Sequence, residues 1–142
     1  MARRKLWLCV APATVCAFDS CLTLVFQPSA YWAGDYDKVN EFSQPDHWML
    51  VQHPVLFVAW VMFWIAGCCG AILALPRRVA LVISITLILG NTAGASWWIG
   101  AKIPGGFWVG LGMFLAIGTL VVTTWAKAGV IVHGNHRKPG ES

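Results

Sequence analysis

Residues 55–99 read VLFVAWVMFWIAGCCGAILAL, then PRR, then VALVISITLILGNTAGASWWI: two apolar runs of 21 residues on either side of a proline and two arginines. At 1.5 Å per residue a helix of that length extends about 31 Å, which matches a bilayer hydrocarbon core of about 30 Å. A helix in water would break such runs with polar residues on its outer face. Three residues, Pro76, Arg77 and Arg78, allow only a tight reversal, so the two runs are predicted to be antiparallel neighbours. Working outward, residues 6–26 and 107–127 form two more runs of the same length. The predicted fold is all-α: a four-transmembrane-helix bundle in one membrane domain covering 1–142, with an outer loop over 27–52 and a tail over 129–142. Composition agrees, because 58% of the residues are hydrophobic and 11% charged, against about 25% charged in ordinary soluble domains.

The net charge of +4 raises the question of nucleic acid. The cations do not cluster into a binding face. They sort by side of the membrane: Arg3, Arg4, Lys5, Arg77, Arg78, Lys127, Arg137 and Lys138 fall on one side, and only Lys38 and Lys102 on the other. Basic residues stay cytoplasmic, so both termini are expected inside, in an inner or plasma membrane, with 27–52 outside. Indole rings favour the membrane interface and give a second reading. Trp7 and Trp125 fall at the inner level, and Trp32, Trp48, Trp97, Trp98 and Trp108 at the outer level, while Trp60 and Trp64 lie deeper.

The start, Arg3-Arg4-Lys5 before an apolar run, has the charge pattern of a secretory signal. No small-x-small cleavage site follows it, so the run is read as the first span. The five cysteines, Cys9, Cys16, Cys21, Cys68 and Cys69, all fall within spans. An odd number without a C-x-x-C argues for packing rather than for a disulfide framework or a zinc site.

The loop is too long for a turn and too aromatic for a flexible linker. Ser43-Gln44-Pro45-Asp46 has the form of a capping box, so a short interfacial helix is predicted over 47–52, ending at His53-Pro54, where proline permits a bend into the second span. In the spans, Gly67-x-x-x-Ala71, Gly90-x-x-x-Gly94, Gly106-x-x-x-Gly110 and Gly118 are candidates for close helix packing, within the bundle or against a second copy. The tail is expected to be disordered beyond His133, and Gly134 and Asn135 argue against a helical His133-x-x-His136 metal pair.

Asp19 carries the most information. A carboxylate inside a span costs at least about 2.5 to 3.5 kcal/mol, so it is expected to face protein. Cys16, Asp19, Thr23 and Gln27 share one helix face at spacings of three and four. Asn91 in the third span reaches the same depth, and no lysine or arginine lies within the hydrophobic core of a span. Asp19 is therefore expected to be protonated, hydrogen-bonded to a group such as Asn91, or paired with a bound cation or a snorkelling Lys102. The candidate polar pocket is Asp19, Thr23, Gln27 and Asn91. Above it, Asn40, Glu41, Asp46, His47 and His53 form a candidate outer mouth, whose spacing matches no known metal signature, so neither metal nor cofactor is expected.

Asp19-x-x-x-Thr23 followed by Asn40-Glu41 and Pro45 resembles a group of uncharacterised four-helix prokaryotic membrane proteins. Their first helix carries Asp-x-x-x-Thr and their next loop Glu-x-Asn-Pro, where this chain has Glu41-Phe42-Ser43-Gln44-Pro45. The resemblance covers about the first third of the chain and implies a four-span fold without an activity to carry over. Small size and the lack of a catalytic motif put a non-enzymatic accessory subunit or scaffold first. Small-molecule or ion binding or transport at Asp19 is the alternative, and an enzyme acting on a lipid-like substrate, with Asp19, Glu41 or His53 as acid, base or metal ligand, is the third. Expected partners are the lipid bilayer and a membrane protein or second copy, not nucleic acid.

Overall fold

A computed structural model describes residues 2–41 and 43–130, without the side chains of Ala2 and Arg3. Phe42 and the tail from 131, with His133 and His136, lie outside the described residues. The described chain is helical with no strand: α1 Ala2–Val25, α2 Ser29–Trp32, a 3-10 turn Tyr36–Lys38, α3 Gln44–Gln52, α4 Pro54–Ala74, α5 Arg77–Lys102 and α6 Gly106–Lys127. Four of these, α1, α4, α5 and α6, are long and apolar enough to cross a membrane.

Local chemistry sets the boundaries. His53 is extended at φ −176° and caps α4, its Nδ1 accepting the Val55 N–H at 3.1 Å, while Pro54 occupies the first turn, where its missing N–H costs nothing. Pro76 instead occupies the N-cap position itself, ahead of Arg77, and α5 has no side-chain cap. Between α5 and α6, Gly105 takes a left-handed φ of +72°, and a side chain on Gly106 would run into the Ile99 carbonyl. The predicted capping box at α3 does not form. Ser43 makes no side-chain cap bond, its own N–H is taken by Glu41 Oε1 at 2.8 Å, and Asp46 turns to the Trp60 indole of α4. The helix nonetheless starts at Gln44, with Ser43 at its N-cap position and Pro45 in its first turn, where the Ser43-to-Asp46 pattern placed a helix start.

The first helix is the centre of the bundle. It packs most extensively on α5 and also meets α4 and α6, which both touch α5 but not each other. Burial follows: 39% of the apolar window in α1 and 28% in α5 are buried, against 11% in α4 and in α6. Met62, Phe63, Leu89, Phe107 and Leu115 point outward from the bundle. One cluster at the end away from the long loop joins Leu8, Cys9, Ile72, Ala80 and Ala128. Another ties the loop to α4 through Tyr31, Leu50 and Phe57, with the Tyr31 hydroxyl donating to the Leu50 carbonyl at 3.1 Å.

Pro12 shows how α1 can sit in the centre despite a proline. Proline has no N–H for the carbonyl four residues back, which is Leu8. The Ser84 hydroxyl of α5 lies 3.4 Å from that carbonyl and 2.8 Å from the Ala80 carbonyl of its own helix, so its single proton is shared between its own helix and the orphaned acceptor. At the same end Lys5 Nζ donates to the carbonyls of Leu73 at 3.0 Å and Leu75 at 2.9 Å, capping α4 from α1.

The small-residue patterns are used unevenly. An added Cβ at Gly67, Gly90, Gly110 or Gly118 would meet no atom within 4 Å, so these glycines do not mediate close contacts. Close packing falls instead on Gly94 and on alanines off the pattern, Ala11, Ala80 and Ala95, all fully buried. Trp98 stands one turn before the loop end of α5 and is buried in the bundle rather than exposed on its surface.

Candidate functional site

Asp19 stands six residues before the end of α1, which places it about 9 Å below the loop end of that helix. Its carboxylate lies directly on Gly94 of α5: a Cβ there would be 2.8 Å from both carboxylate oxygens. Only glycine leaves room for the group at this level. Asp19 Oδ1 is buried and has no hydrogen-bond partner.

The other side of Asp19 faces a cavity of about 250 Å³. Cys16, Ser20 and Thr23 line it from α1, Phe57, Trp60, Val61 and Trp64 from α4, Asn91 from α5, and Ser43, Pro45 and Asp46 from the start of α3. The expected hydrogen bond between Asp19 and Asn91, one of the partnerships open to Asp19, is not seen among the described residues; Asn91 Nδ2 donates to the Leu87 carbonyl of its own helix at 2.8 Å, and Asp19 Oδ1 has no partner. Both residues nonetheless border the same space.

Thr23 and Gln27 have structural partners. Thr23 Oγ1 accepts the Trp98 indole N–H at 3.0 Å, joining α1 to α5. The buried Gln27 holds the loop: its Oε1 accepts the Asn40 N–H at 2.9 Å, and its Nε2 donates to the carbonyls of Asn40 at 3.2 Å and Thr23 at 2.8 Å. Thr23 borders the cavity and Gln27 does not.

The candidate mouth residues separate. Asn40 contributes its backbone to the Gln27 clamp. Glu41 binds the Ser43 N–H, and His47 Nδ1 lies 3.3 Å from the Glu41 carbonyl. His53 is engaged as a helix cap and packs edge-on against Tyr36. Only Asp46 enters the cavity, its Oδ1 accepting the Trp60 Nε1–H at 3.2 Å. Burial raises the Asp46 pKa above the usual carboxylate range, while hydrogen bonds from Ser43 and Trp60 pull it down. Among the described residues no three His, Cys, Asp or Glu side chains converge as a metal would require. The cysteines are free, and the Cys9 thiol donates to the Cys69 carbonyl at 3.8 Å.

The site thus holds two carboxylates, Asp19 and Asp46. Among the described residues no lysine or arginine lines it, Lys102 included. Its apolar wall is Trp60 and Trp64, one helical turn apart with rings 6.1 Å between centres and inclined by 28°. The sequence alone does not point to these two indoles, or to Ser20 and Ser43, as parts of a site. A signal for the indoles exists all the same: Trp60 and Trp64 are the tryptophans displaced from both interface levels, at a spacing of four that shares a helix face with Phe57.

The chain matches no protein-family model, and no curated protein or solved structure compared with it is similar.

Proposed function

We propose that the chain is a multi-pass protein of the inner or plasma membrane, with both termini cytoplasmic, and that it takes a small polar ligand from the outer side into the cavity around Asp19. The supporting observation is the cavity itself, which places an unpartnered carboxylate oxygen beside open space within an otherwise apolar helix bundle. A pocket combining apolar walls with a few convergent polar groups is the usual form of a small-ligand site. An accessory subunit or scaffold gives no reason for a carboxylate in that position, since its only requirement is a packed surface. An enzyme needs a nucleophile or base aimed at a substrate. The Ser20 hydroxyl is not free to serve as one, being bound to the Cys16 carbonyl of its own helix at 2.9 Å, and among the described residues the carboxylates Asp19 and Asp46 have no activated hydroxyl beside them to work on.

The outward orientation rests on the distribution of basic residues, and the long loop with α3 then lies at the outer interface. In a variant with all five cysteines replaced, Ser43→Cys at the rim and Ser20→Cys inside the cavity are treated in intact cells with a membrane-impermeant thiol reagent. Labelling of both supports an outward-open cavity. Labelling only after the cells are opened overturns the orientation, and labelling of Ser43→Cys alone overturns access to the cavity.

A further inference from the structure

On the binding reading above, we propose that the ligand is a small organic cation, a protonated amine on a compact apolar body, held between Asp19 and Asp46 and against the Trp60 and Trp64 indoles. Two carboxylates share one cavity, and among the described residues no cationic side chain lines the space to balance them. Like charges brought together in surroundings of low polarity repel, and a positive ligand relieves both the repulsion and the missing hydrogen bond. Asp19 Oδ1, buried and without a partner in the protein, is an acceptor for an ammonium N–H.

The remaining walls select the kind of cation. A hard inorganic ion such as calcium takes six to eight oxygen ligands, and magnesium demands a near-octahedral set. Here one wall is Phe57, Trp60, Val61 and Trp64, and among the described residues no cluster of three ligating side chains exists. Indole faces, by contrast, attract an alkylammonium, an ion whose carbon body also gains from leaving water. The paired rings of Trp60 and Trp64 thus suit the organic part, while the carboxylates suit the charge. At about 250 Å³ the cavity is smaller than most sites for drug-sized molecules, which start near about 300 Å³. It fits an amine of modest size rather than a lipid or a nucleotide. Gly94 contributes indirectly, because any side chain there would push the Asp19 carboxylate from its position.

The test is isothermal titration of the purified full chain in mild detergent with 2-phenylethylammonium, its neutral counterpart 2-phenylethanol, and calcium. Saturable binding of the ammonium alone is expected, weakened about tenfold or more by Asp19→Asn, a change of at least about 1.4 kcal/mol. Trp64→Leu is expected to weaken it as well, and Asp46→Asn serves as a second charge-removing variant should Asp19→Asn not fold. Equal binding of the alcohol, or binding of calcium alone, overturns the cation assignment and leaves the cavity a binding site. Ammonium binding that survives Asp19→Asn, Asp46→Asn and Trp64→Leu unchanged places the ligand elsewhere and overturns it too. If none of the three probes binds a protein whose Ser20→Cys form is labelled from outside, the cation assignment fails while access to the cavity stands.

Discussion

The carboxylate of Asp19 on α1 rests on the bare Cα of Gly94 on α5, both oxygens within 2.8 Å of where a Cβ would be. The one carboxylate of the central helix is thereby placed where the bundle's two best-buried helices meet. Gly94→Ala should lower the melting point in detergent, because either Asp19 or the α1–α5 spacing must shift, at a cost of about 1–3 kcal/mol. Asp19→Ala in the same chain removes the clash, so the double variant should be less destabilised than the two single effects added together. Additive losses in that cycle would show that the two residues do not meet.

Gln27 and Asn40 are joined by two hydrogen bonds, at 2.9 and 3.2 Å, that attach the long loop to the end of α1. Gln27→Ala leaves a backbone N–H and a carbonyl without these partners, and each buried unsatisfied group costs about 1–3 kcal/mol. Hydrogen exchange at the Asn40 amide should speed up strongly, with little change in the middle of α5. Unchanged exchange would mean that water or another group replaces the side chain.

The four long helices were legible because their signal is one of length and continuity, which needs no knowledge of neighbours. Runs such as 55–75 and 79–99 identify themselves by 21 apolar residues each. Asp19 was legible for a related reason, since a carboxylate in such a run is conspicuous whatever surrounds it. What the side chains face was not legible. Asn91 has the right height to meet Asp19 but turns to Leu87 of its own helix, and Gly94, one turn further along, takes the contact. Gly90 belongs to the same small-residue pattern and borders nothing. Spacing along one helix does not fix its rotation against the next, so residues in one pattern can end on different faces. Trp60 and Trp64 stand out in the sequence by their depth but not by a role, because large apolar rings in a span look like ordinary lipid-facing or packing residues until a cavity is seen beside them.

Ser84 and Pro12 test whether α5 serves the carbonyl that proline leaves open. Ser84→Ala removes the donor at 3.4 Å from the Leu8 carbonyl and should destabilise the bundle by about 1 kcal/mol. Pro12→Ala restores a backbone N–H within α1 for the same acceptor. In that background Ser84→Ala should cost less than in the native chain, as read from melting of the four proteins. An equal cost in both backgrounds would assign Ser84 only to its own helix, where it also donates to the Ala80 carbonyl at 2.8 Å.

Asp46 gives the stability of the loop end a pH dependence with a definite sign. Burial raises its pKa in the folded chain, and the hydrogen bonds from Ser43 and Trp60 offset this only in part. At pH values below the ordinary carboxylate range of about 4, folded and unfolded chains both hold the proton and the group contributes fully. As pH rises, the unfolded chain releases its proton first, so this contribution to stability is lost progressively until the folded pKa is passed, beyond which it is flat. Asp46→Asn has no proton to lose, and its side-chain oxygen can still accept the Trp60 indole N–H. The variant should therefore gain on the native chain between about pH 4 and about pH 7, when melting of the two is compared at each end of that range. Since Asp19 borders the same cavity, the comparison is repeated in an Asp19→Asn background, where the gap between chains with and without Asp46→Asn should keep its sign. A gap that shrinks with rising pH in both backgrounds would mean that the fold prefers Asp46 charged, and that its hydrogen bonds outweigh its burial.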